Sequence, residues 1–148
     1  MSATYEQLTE TASIYYLAAK AVILNSEGNI LLLQKSASNR NGDHWDLPGG
    51  RVRNEDLEAA LRREVLEETG LSVTVGRAVG SAVFHERIRV EGSAVGLIAH
   101  AFACQAESEA EPTLDNEHQG FRWVRPDEAA TLLAAAYPAA FTQAVRSA

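Results

Sequence analysis

The stretch Asn54-Glu55-Asp56-Leu57-Glu58-Ala59-Ala60-Leu61-Arg62-Arg63-Glu64-Val65-Leu66-Glu67-Glu68-Thr69-Gly70-Leu71 decides how the rest of the chain is read. It predicts a helix over 54–69. Asn54 is a fitting N-cap, Glu55 and Asp56 put negative charge at the positive end of the helix dipole, and Gly70 is a suitable left-handed stop. On a wheel of about 100° per residue, Leu57, Ala60 and Leu61 fall within roughly 60° of Glu64 and mark the buried stripe of the first two turns. Glu64, Glu67 and Glu68 continue that stripe at i, i+3 and i+4, so three carboxylates share the face that begins as the core face. On an exposed helix such neighbours repel by roughly a few tenths of a kcal/mol each, and partial burial raises the cost. A bound divalent cation reverses the sign of that interaction. The donors are oxygens, with no Cys and no His pair near by, which suits Mg²⁺ or Mn²⁺ rather than Zn²⁺. The other reading is a solvated acidic face paired with Arg62 and Arg63.

Upstream lies Pro48-Gly49-Gly50, where two glycines let backbone approach closely to a ligand or to the helix. A backbone carbonyl in such a turn can complete a hard-cation site, and an ordinary turn is the alternative. Trp45 reads as a core aromatic. Further toward the N-terminus, Tyr16–Leu24 and Ile30–Leu33 are apolar runs joined by Asn25-Ser26-Glu27-Gly28, which predicts a hairpin. Ser36–Asp43 is polar and predicts a loop, and the first dozen residues predict a loose arm or a short helix. Downstream, Leu71–Val75 and Ala78–Val90 read as strands, Glu91-Gly92-Ser93 as a turn, and Ala94–Gln105 as a strand. The acidic segment from Ala106 to Glu117 reads as a loop, and Phe121–Val124 as a short strand. A helix from Pro126 to about Leu133 ends before Tyr137-Pro138, and a last helix runs to Val145. This order predicts an α/β chain with a mixed β-sheet covered by helices on both faces.

The chain has 148 residues, 46% of them apolar, which is enough for one compact domain and too few for two. Thirteen basic against 20 acidic side chains give a formal charge of −7, which argues against general nucleic-acid binding. One cysteine, Cys104, excludes an internal disulfide and a Cys-only metal cage. No apolar run approaches the roughly 18–20 residues a membrane span needs, and Met1–Glu10 shows no signal pattern. The expectation is a cytoplasmic protein.

Taken together, Gly49–Leu71 resembles the box of the Nudix (MutT-like) hydrolases: Gly, five residues, Glu, seven residues, then Arg-Glu-apolar-any-Glu-Glu-any-Gly-apolar. Those slots hold Gly49, Glu55 and Arg63-Glu64-Val65-Leu66-Glu67-Glu68-Thr69-Gly70-Leu71, so every specified position of the 23-residue pattern is filled. Many members start the box at the second glycine of a pair. Here the count from Gly50 to Glu55 is one short, and Asn54 stands where a glycine usually precedes the first Glu.

The resemblance implies a Nudix-type α/β/α sandwich over residues 1–148, with 1–13 as an N-terminal arm. It implies Glu64, Glu67 and Glu68 as ligands of Mg²⁺ or Mn²⁺, with the Gly49 carbonyl completing the set. Arg63 corresponds to the arginine that orients the glutamates, and Glu55 to a supporting carboxylate. A further Glu beyond the box binds metal or acts as base in many members, and Glu117, ahead of Phe121-Arg122-Trp123-Val124, is the candidate here; the carboxylate that takes the water's proton is either Glu117 or one of the box glutamates. The implied reaction is hydrolysis of a pyrophosphate bond in a nucleoside diphosphate linked to another group. Cations for the substrate's far end are Arg51 and Lys35, then Arg40 and Arg53. Phe84, His85 and Trp123 are candidates to line a base pocket, although a lone His such as His85 or His100 is more often an ordinary strand residue than a ligand.

Past the box, His85-Glu86-Arg87-Ile88-Arg89 holds neither the Pro of ADP-ribose-type members nor the Tyr of diadenosine-polyphosphate members. This leaves a nucleoside triphosphate, modified or not, giving a nucleoside monophosphate and pyrophosphate. A nucleotide-sugar or ADP-ribose pyrophosphatase is the alternative. A non-catalytic nucleotide-binding module fits less well with an intact box, and an RNA-decapping enzyme would want a basic groove. The resemblance also admits a homodimer.

Overall fold

A computed structural model describes residues 13–36 and 44–148, the side chain of Glu86 excepted. Residues 1–12 of the N-terminal arm and residues 37–43 of the expected loop, Arg40 among them, lie outside the described residues. Among the described residues, seven strands form one sheet: β1 (Tyr15–Leu24), β2 (Ile30–Lys35), β3 (Trp45–Asp46), β4 (Gly49–Arg51), β5 (Val73–Val90), β6 (Ser93–Ala106) and β7 (His118–Val124). Three described helices accompany it: α1 (Leu57–Thr69), α2 (Pro126–Leu133) and α3 (Ala139–Arg146). The main strand order is β3-β2-β1-β6-β5, with β4 paired to β1 and β7 to β2. β1 runs parallel to β6 and antiparallel to β2 and β4, so the sheet is mixed as expected.

Strand alternation splits the apolar residues between two cores. Ala19, Ala21 and Ile23 of β1, with Leu31 and Leu33 of β2, pack against Leu61 and Val65 of α1. Val22, Ile30 and Leu32 point the other way, onto Ala129 and Leu133 of α2 and Phe141 and Val145 of α3. Helices therefore cover both faces, an α/β/α sandwich.

Where sequence and structure differ, local chemistry explains the difference. The cap of α1 is Asp56, not Asn54: Asp56 Oδ1 accepts from Ala59 N at 2.8 Å. Asn54 instead takes a left-handed conformation at φ 50°, which Asn tolerates. The C-terminal end holds, with Gly70 at φ 70° donating to Leu66 O. The two strands expected over 71–90 are one, β5, with a register shift between Val75 and Ala78. Trp45-Asp46 and Gly49–Arg51 are short strands that the turn-like composition of this segment conceals. Trp45 packs against the α2–α3 core.

Candidate functional site

The site is built where β4 lies beneath α1. Pro48 O accepts from Ala21 N, and Val52 N donates to Leu17 O, so the even-numbered residues of this segment bond β1. Alternate residues of an antiparallel strand direct their backbone groups to opposite edges. Those of Gly49 and Arg51 accordingly turn toward α1: Gly49 N donates to Glu68 Oε1 at 2.7 Å, and Arg51 O accepts from Arg63 Nη2 at 3.3 Å.

Both glycines are sterically required. A Cβ on Gly49, whose φ is 143°, would lie 2.1 Å from Ala19 O, and one on Gly50 would lie 2.5 Å from the Glu64 carboxyl carbon. The absence of a side chain at Gly50 is what lets the Glu64 carboxylate lie on the strand.

On α1, Glu64 and Glu68 are buried at 9% and 7% exposure, one turn apart. Glu67 stands at the rim of the same face, with 56% of its side chain exposed. The shared face of the three carboxylates is therefore graded, two inside and one out. Arg63 links them. Its Nε donates to both oxygens of Glu55 at 3.1 and 3.2 Å, its Nη1 donates to Glu64 Oε1 at 2.9 Å, and Nη1 lies 3.6 Å from Glu67 Oε2. The hydrogen bonds from Arg63 hold the Glu55 carboxyl below its usual range. Arg63 itself is held above its usual value, first by Glu55 and, against some loss from burial, by Glu64.

Burial pushes the Glu68 carboxyl up to about 7, and the charges of Glu64 and Asp115 add to that, against the Gly49 N–H and Lys20, which pull it down. A buried carboxylate so poorly neutralised by its protein surroundings is a fitting ligand for a cation.

Two residues that the sequence did not single out join it. The 107–117 loop lies along the end of α1, with Thr113 N donating to Thr69 O and Asp115 N to Glu68 O. This brings in His118, whose ring lies with Nδ1 2.7 Å from Asp115 Oδ1 and Nε2 3.8 Å from Glu68 Oε2. Candidate ligand atoms of Glu68, Asp115 and His118 all lie within 4.8 Å of one another. The Asp-x-x-His spacing was visible, but nothing in a run of five acidic residues distinguished Asp115. Its neighbour Glu117, chosen from the sequence, is exposed, and its carbonyl accepts from Ser36 N.

Of the cations, Arg51 lies with Cζ 4.3 Å above the Tyr16 ring. Lys35 ends β2, in register with His118. Arg53 is exposed, its N–H donating to Glu55 Oε1. The three residues considered for a base pocket do not assemble. Phe84 packs on the α2–α3 side of the sheet and Trp123 on the α1 side, while His85 accepts or donates at 2.6 Å with the Tyr15 hydroxyl. His100 packs edge-on to Phe102, a plain strand contact.

Among the described residues, no helix is long and apolar enough to cross a membrane. A family model described as the NUDIX domain matches residues 15–145. The chain is 34% identical over 110 residues to the CTP pyrophosphohydrolase of Escherichia coli K12, covering 74% of this chain and 76% of that one. It is 35% identical over 106 residues to the nucleoside triphosphatase NudI of Salmonella arizonae, covering 66% of this chain and 74% of that one. Its fold is similar to that of the MutT protein from Methanosarcina mazei Go1, with a TM-score of 0.72 and 30% identity over 91% of this chain and 93% of that one.

Proposed function

This chain belongs to the NUDIX domain family and is a pyrophosphohydrolase, and from that premise we propose that it hydrolyses a nucleoside triphosphate, modified or not, to a nucleoside monophosphate and pyrophosphate, with Mg²⁺ or Mn²⁺. The observation that carries the reading is the pair of buried carboxylates set against two glycines: Glu64 fills the space that a side chain on Gly50 would take, and Glu68 accepts from the Gly49 N–H. The relatives that act on CTP and on nucleoside triphosphates support the triphosphate over the nucleotide-sugar alternative. The reading treats residues 1–148 as one domain.

In this proposal Glu64, Glu67 and Glu68 hold the cation, and the Gly49 carbonyl, turned away from β1 like its N–H, completes the set. A divalent cation bound there supplies charge neutralisation for the phosphoryl oxygens. That matters for a chain of charge −7 meeting a polyanion. Arg63 keeps Glu64 and Glu55 in fixed rotamers, so the carboxylates are set before substrate arrives. Arg51 and Lys35 bind the far phosphates. Water attacks one phosphorus; a new P–O bond forms as the bridging P–O bond breaks, and the bridging oxygen leaves on the pyrophosphate. Glu117, an exposed carboxylate one residue before His118, receives the water's proton.

The test is nucleoside monophosphate release from a panel of NTPs, dNTPs, oxidised dGTP, ADP-ribose and sugar nucleotides with Mg²⁺ or Mn²⁺, with pyrophosphate measured beside it for the triphosphates. Glu67→Gln/Glu68→Gln is the control. Turnover on triphosphates that vanishes in the control is expected; turnover on ADP-ribose or sugar nucleotides alone would move the substrate to the alternative.

A further inference from the structure

Behind the carboxylate site lies a buried polar network that the proposed reaction does not use. Lys20 of β1 is in register with Gly49 of β4. Its ammonium donates to Asp46 Oδ2 at 3.1 Å and to Leu47 O at 3.4 Å. The other oxygen of Asp46 accepts from Leu47 N and from the Tyr137 hydroxyl, both at 2.7 Å. Only 12% of the Lys20 and 13% of the Asp46 side chain is exposed. Tyr137 lies between α2 and α3, its ring stacked on Phe141 at 4.5 Å and edge-on to Phe84.

A buried ion pair is often no more stabilising than well-packed apolar residues of the same size, so stability alone does not account for this one. Geometry does. Asp46, Leu47 and Pro48 are each fastened, by the side-chain network or by the bond from Ala21 N to Pro48 O. The next residue is Gly49, whose N–H meets Glu68. A slip of this segment would move that N–H, and with it the carboxylate. Burial opposes the charge on Lys20, but Asp46, Tyr137 and Glu68 together raise its amine above the ordinary value, so it stays an ammonium.

We propose that Lys20, Asp46 and Tyr137 form a positioning unit that holds the 46–49 segment so that Gly49 fixes Glu68, and that this unit sets the cation affinity of the carboxylate site from the side of the C-terminal helices. The inference rests on the metal-site reading above. None of the three residues makes a hydrogen bond to Glu64, Glu67 or Glu68 among the described residues, so they act through the backbone.

The test is the Mn²⁺ dissociation constant, read from the paramagnetic resonance of free Mn²⁺ without nucleotide and well below Tm, together with kcat, KM and Tm. Tyr137→Phe is expected to weaken Mn²⁺ binding about tenfold, in the range for residues that support metal ligands, and to lower kcat while the nucleotide KM holds. Lys20→Met weakens it further, and Lys20→Arg restores most of the affinity. Should Tyr137→Phe fail to fold, the two Lys20 variants carry the test. Variants that lower Tm yet bind Mn²⁺ like the wild type would overturn the inference and leave the metal site standing. A wild type that binds no Mn²⁺ would overturn both.

Discussion

The backbone N–H of Gly49 reaches across to the carboxylate of Glu68, 19 residues later, at 2.7 Å. One peptide group of a strand thus orients one buried acid of a helix. The adjacent Gly50 leaves room for the second acid, Glu64. Gly50→Ala would drive a methyl group into that carboxylate while keeping the fold's hydrogen bonds. Expected are a loss of about tenfold or more in Mn²⁺ affinity, comparable to losing a supporting residue of a metal site, and a Tm change of only a few degrees. Calorimetric titration beside thermal melting checks it; unchanged affinity would mean that Glu64 is not a ligand.

Arg63 joins Glu55, Glu64 and Glu67 through a planar fork that lysine lacks. Arg63→Lys is therefore expected to behave much like Arg63→Ala, each lowering kcat by about 10- to 100-fold. Steady-state kinetics with saturating Mg²⁺ decides. Near-wild-type turnover with lysine would show that charge alone suffices at this position.

The metal-free chain should lose stability as pH rises. Glu68 has its folded-state value raised from 4.5 to about 7, so it binds a proton more tightly in the folded than in the unfolded state. Its contribution is full below the unfolded value and disappears as pH climbs through the folded one. Melting in EDTA between pH 4.5 and 7.5 should show a falling Tm component that Glu68→Gln removes. A Tm profile identical in wild type and Glu68→Gln would refute the assignment.

Glu117 and Glu68 are expected to fail differently. Glu117→Gln should lower kcat by about 100-fold, as removal of a general base does, with Mn²⁺ affinity unchanged. Glu68→Gln should lose the cation itself. If Glu117→Gln keeps kcat within about threefold of wild type, the base lies elsewhere, because a positioned base contributes at least about 100-fold.

Much of the site was legible because it lies in one helix and the turn before it, where spacing alone sets neighbourhood. Glu64, Glu68 and Arg63 sit where the wheel and the motif put them, and Gly70 ends α1 as composition predicts. What escaped depends on contacts between distant segments. Asp115 and His118 gain meaning only because backbone bonds from Thr113 and Asp115 lay their loop along α1. Phe84 and Trp123, both candidates for one base pocket, lie on opposite faces of the sheet, which single-strand patterns do not reveal for two residues on different strands. The N-cap is Asp56 rather than Asn54: both residue types cap well, and which of them does so is settled by the chain path, with Asn54 in the left-handed turn that leads in.

The parallel pairing of β1 with β6, from Tyr15 opposite Gly96 to Leu24 opposite Gln105, has a consequence in time. It closes a loop of about 80 residues, the kind of non-local contact that is slow to form, and β4 and α1 both lie inside it. On the ribosome, β1 waits for its partner until most of the chain has been made, while the acidic helix is already complete. The carboxylates of α1 are thus synthesised early and given their final surroundings late.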